Sequence, residues 1–348
     1  MSVMKVGKAT FRFSVGPWNL HPGADPFGPP VREEFSWDQK MKIFKEIGFD
    51  AIQFHDDDVC PADLSVQETS KRVKEMKKQL KDLGFAAEFV APRLWEHANT
   101  VDGGWTANDS KHRKYAIDRS KRTVDIALEL GTKKIVLWPA REGTYVREAK
   151  DPFESYKRYS EYLNMLLEYD ATIQILGEMK PNEPTDAAYL PTPGHFLAVG
   201  AQTVDPKRVG VLIESAHSLL LGIDASDDMA LCLALGKLWG VHLNDQDGLK
   251  YDQDKSFGAV NIRRAFNQVW VLARGGFGAK GEYVGLDVKA MRTQRQEVSM
   301  KHLSNSLQFF KDLCEIVQRV DSDKIAEYRE ARDYEELERY IVRLLMGK

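Results

Sequence analysis

The residues with the most chemical reach in this chain are carboxylates and imidazoles that fall where short apolar runs end. One run closes on His55, Asp56, Asp57 and Asp58. Another closes on Glu178 and Lys180, followed by Asn182 and Glu183. A third ends in Glu214, with His217 three residues on, and a fourth in His242, Asn244 and Asp245, followed by Asp252 and Asp254. A fifth ends in Asp287 and Lys289. If one fold gathers these ends, several carboxylates share a small volume, where each loses solvation and repels the others. Divalent cations are the simplest counter-charge. An oxygen-rich donor set suits Mg²⁺ or Mn²⁺, and an imidazole in it leans toward Mn²⁺ or Co²⁺.

Taken singly, these groups have plainer readings. The HDDD run is a solvated loop, Glu214 with His217 a helix-start cap and a surface histidine, and Asp252 with Asp254 a polar turn. Lys180 is then a partner of Glu183, and His242 a satisfied core histidine. Their common position at run ends is what favours chemistry.

The elements that must position them are eight short runs rich in β-branched and aromatic residues, as buried parallel strands should be. They cover residues 9–16, 48–56, 85–92, 133–140, 172–181, 208–215, 238–245 and 281–289. Helical patterns lie between them at 37–47, 65–83, 110–130, 154–167, 226–235 and 262–272, with Ser226 as an N-cap, and a long last helix at 294–320. Alternating strand and helix implies right-handed βα units. Eight of them imply a single (β/α)8 TIM barrel over residues 1–320, with its chemistry at the C-terminal ends of the strands. Residues 321–348 form a short C-terminal helical arm, and the Pro- and Gly-rich stretches 21–30 and 181–194 read as long loops over the site.

The bulk properties exclude several classes. The net charge of -3 offers no basic field for a phosphate backbone, so nucleic acid is not an expected partner. No apolar stretch approaches a bilayer span, so no membrane partner is expected. Cys60, Cys232 and Cys314 form no disulfide framework and no paired metal motif, and the N-terminus lacks an apolar signal core. A reducing, cytoplasmic setting is expected.

The ordered pieces DPFGPPVR from Asp25, FHDDD from Phe54, DGGWTAND from Asp102, LWPAREG from Leu137, GEMKPNEP from Gly177, IESAH from Ile213 and KYDQD from Lys250 resemble the xylose isomerases over nearly the whole chain. The resemblance implies two divalent cations per subunit. Glu178, Glu214 and Asp287 would hold the first, with His242 where many members carry aspartate. That histidine resembles the set of rhamnose isomerases and ketose 3-epimerases. Glu214 would bridge to the second cation, completed by His217, Asp252 and Asp254. The implied activity is aldose–ketose isomerisation by ring opening and a 1,2-hydride shift. His55, oriented by Asp58, would assist ring opening, Lys180 would polarise the C1 oxygen, and the second cation would acidify a water near Asp254. Trp18, Trp95 and Trp138 would wall the pocket. Phe27, the aromatic of the DPFG loop, would reach a neighbouring subunit, implying a homodimer or homotetramer.

Departures temper the substrate reading. Ala91 to Trp95 lacks the usual threonine pair, so one sugar-hydroxyl contact would be lost or replaced by Arg93. Asp245 and Asp247 stand where the family usually has Gly and His. Other functions compatible with the barrel are a single-metal ketose 3-epimerase, a metal-dependent phosphodiesterase or repair nuclease, and a non-catalytic sugar-binding relative. The nuclease would need more histidines and a basic groove, and the non-catalytic relative would be expected to lack a ligand outright.

Overall fold

The computed structural model describes residues 3–25 and 27–348. Its centre is a closed parallel barrel of eight strands: β1 (Phe13–Val15), β2 (Ala51–His55), β3 (Ala86–Ala91), β4 (Lys134–Leu137), β5 (Gln174–Glu178), β6 (Val209–Glu214), β7 (Leu238–Leu243) and β8 (Val284–Leu286). Each pairs with its chain neighbours, and β8 pairs with β1 to close the ring. The outer helices are α1 (Trp37–Ile47), α2 (Val66–Leu83), α3 (Ser110–Leu130), α4 (Pro152–Tyr169), α5 (Pro193–Gly200), α6 (Ala225–Ala234), α7 (Ile262–Gly275) and α8 (Lys301–Gln318). This is a (β/α)8 TIM barrel, as the alternation of elements implies.

Local sequence sets the alternation. Ser36 and Gln39 close a reciprocal capping box at the start of α1, and Ser65 with Glu68 does the same for α2. Gly48 ends α1 in the left-handed region, where a side chain would be strained. The strand residues are buried almost throughout, consistent with a sheet covered on its outer face by helices.

Four expectations need correction. The first run is two elements: Ala9–Phe11 pairs antiparallel with Met4–Val6, and only Phe13–Val15 enters the barrel. The α6 cap is Asp224, whose carboxylate accepts from the Ser226 N–H, so Ser226 is the capped residue and not the cap. Thr192 and Pro193 start α5, an element hidden by the loop-like composition before it. The last barrel helix starts at Lys301, after a short 3₁₀ turn at Gln296–Val298.

The C-terminal arm is α9 (Ser322–Ala331) and α10 (Tyr334–Leu345). Ile325, Ile341 and Leu344 are buried, and Arg263 of α7 pairs with Glu338 at 3.1 Å. Among the described residues no helix is long and apolar enough to cross a membrane.

Register decides which side chains meet. Glu214 on β6 lies directly beside His242 on β7. Leu212 pairs with Glu178 on β5, so Glu178 stands one pleat below Glu214 on the neighbouring strand. Gly285 on β8 leaves room at this level: a Cβ there would sit 2.9 Å from His242 Cδ2.

Candidate metal centre

The strand ends converge on one cavity of about 1500 Å³. Two groups of ligand-quality atoms face each other there. Glu178, Glu214, His242 and Asp287 offer atoms within 4.8 Å of one another, and so do Glu214, His217 and Asp252. Glu214 belongs to both. His242 Nδ1 lies 2.6 Å from Glu178 Oε1 and 3.9 Å from both Glu214 Oε2 and Asp287 Oδ2. His217 Nε2 lies 3.1 Å from Asp252 Oδ2 and 3.3 Å from Glu214 Oε1. Asn244 locks this arrangement. Its amide donates to Glu214 Oε1 at 2.8 Å and Asp254 Oδ1 at 3.2 Å, while its oxygen accepts from the Ala216 N–H.

The electrostatics follow from burial and crowding. Burial, then Asp252, pushes the Glu214 carboxyl well above its ordinary range, burial does the same for Asp254, and burial also raises Asp287. Burial also opposes charge on Asp252, but His217, Lys180 and Lys289 together outweigh it and hold that carboxyl well below its ordinary range. Burial opposes charge on His242, yet Glu178, Glu214 and Asp287 together outweigh it and raise the imidazole well above its usual value. The carboxylates of the cluster thus outnumber the positive charge that His242 supplies within it. Asp252 Oδ1 and His217 Nδ1 are buried without a hydrogen-bond partner among the described residues. A hard divalent cation fits both the donor chemistry and the charge deficit.

The lysines take up part of the deficit. Lys180 Nζ pairs with Glu183 Oε2 at 2.6 Å and Asp252 Oδ2 at 3.1 Å, and lies 5.5 Å from the centre of the Trp138 ring. Lys289 Nζ binds the Asp254 carboxylate. Asp254 thus lines the cavity but is held by Lys289 and Asn244, apart from the His217 group.

Trp18, Trp95 and Trp138 all line the cavity, with Trp95 set edge-on to Trp138 at 4.6 Å. His55 sits between Trp18 at 4.5 Å and Trp95 at 5.1 Å. Asp58 Oδ2 accepts the His55 backbone N–H at 2.8 Å and approaches its Nδ1 to 3.2 Å. Phe27 is 98% exposed and does not line the cavity of its own chain. Arg93, expected near a sugar hydroxyl, is engaged by protein groups: Asp57 and Glu96 accept from its guanidinium, and His55 Nδ1 lies 2.8 Å from its Nη2. Asp56 is a structural anchor, fully buried against Arg119 at 2.8 Å.

Two residues of the site carry no signal at a strand end. Gln53 and Glu88 are buried inside β2 and β3. Gln53 Nε2 donates to Glu88 Oε2 and Ser14 Oγ, both at 3.0 Å, which leaves its Oε1 facing His242 Nε2 at 3.1 Å. The carboxylate fixes which way the amide points, and the amide oxygen then requires an N–H on His242 Nε2. The other nitrogen, Nδ1, is aimed at the three carboxylates. A polar residue in the middle of a buried parallel strand was the available clue.

The family model described as a xylose isomerase-like TIM barrel matches residues 41–269. Similar solved structures include a D-tagatose 3-epimerase-like protein, at 17% identity and TM-score 0.63, covering 88% of this chain and 98% of the other. A 3-keto-D-glucoside 4-epimerase from E. coli aligns at 15% identity and TM-score 0.62, covering 87% and 99%. A xylose isomerase domain protein from Alicyclobacillus acidocaldarius subsp. acidocaldarius aligns at 12% identity and TM-score 0.60, covering 88% and 99%. At these identities the likeness is one of fold.

Proposed function

The chain belongs to the xylose isomerase-like TIM barrel family, and from that premise we propose that it is a divalent-metal-dependent aldose–ketose isomerase, acting on xylose or a closely related sugar. The observation that carries this reading is the pair of ligand groups sharing Glu214, with Lys180 beside the second. Glu178, Glu214, His242 and Asp287 would hold one cation. Glu214, His217 and Asp252 would hold another, with Asp254 joining if it exchanges Lys289 for the ion. Mg²⁺, Mn²⁺ or Co²⁺ suits these donors. When bound, the cations polarise the sugar oxygens they contact and stabilise negative charge developing on them.

The chain's own residues do the rest. Lys180 places a fixed positive charge at the rim of the second group, where it would stabilise an oxyanion on the open-chain sugar. Trp18, Trp95 and Trp138 exclude water from the reacting carbons. The indole N–H groups of Trp18 and Trp138 are buried without partners among the described residues, and a polyol is a ligand that could satisfy them. His55 faces the cavity from between two indoles, where it would contact a sugar oxygen during ring opening. The exposed Phe27 is the side chain a second copy would cover, consistent with a homodimer or homotetramer.

A second reading has its own support. The group containing His242 is complete without His217, Asp252 or Lys180, and a ketose 3-epimerase needs only one cation. A sugar panel separates the two. Metal is stripped, Mn²⁺, Co²⁺ or Mg²⁺ is restored, and xylose, glucose, ribose, arabinose, lyxose and rhamnose are followed by ketose formation. Metal-dependent ketose formation supports the isomerase. Epimerisation of a ketose at C3, with no aldose converted, overturns it in favour of the epimerase.

The Gln53 contact gives a further expected result. Gln53→Leu removes the acceptor that orients His242, and cation binding measured by titration calorimetry should weaken about 10- to 100-fold. Unchanged affinity would show that His242 needs no such support.

A further inference from the structure

The strand-three end of this chain brings a guanidinium against the histidine of the HDDD run. Arg93 Nη2 lies 2.8 Å from His55 Nδ1, directed as a hydrogen bond. The arginine is itself well anchored. Its Nε donates to Asp57 Oδ1 at 2.8 Å and its Nη1 to Glu96 Oε1 at 3.2 Å. Its backbone N–H donates to Asp56 Oδ1 at 2.9 Å, and the guanidinium carbon lies 5.6 Å from the centre of the Trp95 ring. Asp57 is fixed from its other oxygen by Arg119 at 3.1 Å.

Guanidinium has five N–H donors and no acceptor. A proton on His55 Nδ1 would therefore point at another N–H. The competing partner is Asp58, whose Oδ2 lies 3.2 Å from Nδ1. That oxygen already accepts the His55 backbone N–H at 2.8 Å. Asp58 Oδ1 is 3.6 Å from Arg93 Nη2, so the same guanidinium screens this carboxylate. The shorter and better-directed contact is the one in which Nδ1 accepts.

We propose that Arg93 is a positioning residue that holds His55 as its Nε2–H tautomer, so that His55 presents an N–H, and not a lone pair, to the ligand in the cavity. His55 then donates a hydrogen bond to a ligand oxygen and does not remove a proton from a hydroxyl through that nitrogen. Asp58 orders the backbone of the turn and does not select the tautomer. That the ligand oxygen belongs to a sugar rests on the isomerase reading; the tautomer does not.

The test is therefore spectroscopic and needs no substrate. Protein labelled with ¹⁵N-histidine gives long-range ¹H–¹⁵N spectra in which His55 is assigned by its loss in His55→Gln. The expected result is a pyrrole-type Nε2 and a pyridine-type Nδ1 in the unmodified protein at neutral pH. In Arg93→Met the proton should move to Nδ1, toward Asp58. Asp58→Asn should leave the Nε2–H form in place. A wild-type spectrum with the proton on Nδ1 overturns the proposal, and that spectrum decides even if Arg93→Met fails to fold. An Arg93→Met spectrum identical to wild type overturns the role of Arg93. Failure of the sugar panel would leave all three spectra unaffected, so the two ideas fail separately.

Discussion

Glu214→Gln is expected to abolish metal-dependent turnover while raising the melting temperature of the metal-free protein. Glu214 is the one carboxylate shared by both ligand groups. An amide offers only a neutral oxygen, so both cations lose an anionic donor at once. The loss of several kcal/mol of charge stabilisation corresponds to a turnover drop of roughly a thousandfold or more. The stability effect runs the other way. Burial and Asp252 push the Glu214 carboxyl well above its ordinary range. Folding therefore raises the proton affinity of this group, and its ionised form destabilises the metal-free fold as pH rises above the unfolded carboxylate range. Glutamine keeps the shape and removes that penalty, and it preserves a partner for Asn244. Differential scanning fluorimetry at neutral pH, with and without Mn²⁺, reads both effects. Wild type should melt lower than the variant without metal and gain markedly when metal is added. The variant should start higher and gain little. A variant that still gains as much as wild type would remove Glu214 from the ligand set, and with it the shared-ligand geometry on which the isomerase reading stands.

How much of this site was legible in the sequence depends on what each residue needs to be recognised. The cavity-lining residues of the two ligand groups were legible because each sits at the end of a run or, like His217 and Asp252, in the segment just after one, and in a barrel all run ends face one mouth. His242 beside Glu214 follows from strand register, which the order of the runs implies but their lengths do not. Pairings between side chains from different strands were not legible. Nothing in APRLW says that Arg93, at the cavity wall, is tied to Asp57 and His55. Nothing in KYDQD or LDVK says that Lys289 binds Asp254. Gln53 and Glu88 give no such signal, because an otherwise apolar run reads as a strand whatever one polar residue inside it does. Helix boundaries failed where composition misled: Pro193 looked like a continuing loop, yet proline suits the first turn of α5 because its missing N–H has no partner there.

Lys180→Met is the substitution that separates chemistry from metal binding. Lys180 is buried at the edge of the cavity, with its ammonium 3.1 Å from Asp252 Oδ2 and 2.6 Å from Glu183 Oε2. Burial opposes its charge, but Asp252, Glu183 and Glu214 together outweigh burial and keep the amine protonated well above neutrality. It is a permanent cation next to a cation site. Methionine matches its length and apolar stem, so the wall against Trp138 is retained. Removing the charge has two consequences of opposite sign. Asp252 loses its fixed counter-ion, and a divalent cation at Glu214, His217 and Asp252 no longer meets a like charge beside it. Cation affinity should hold or increase. The developing oxyanion of the sugar, in contrast, loses a donor that does not have to reorganise, and turnover should fall about 100- to 1000-fold. Calorimetric titration with Mn²⁺ and steady-state ketose formation, done on the same preparation, give both numbers. Turnover held at the wild-type level would end the polarising role. Weaker metal binding together with lower turnover would make Lys180 a structural partner of Asp252 and Glu183. Only the split, with tighter or equal binding and slower turnover, is the signature of a charge that acts on the substrate.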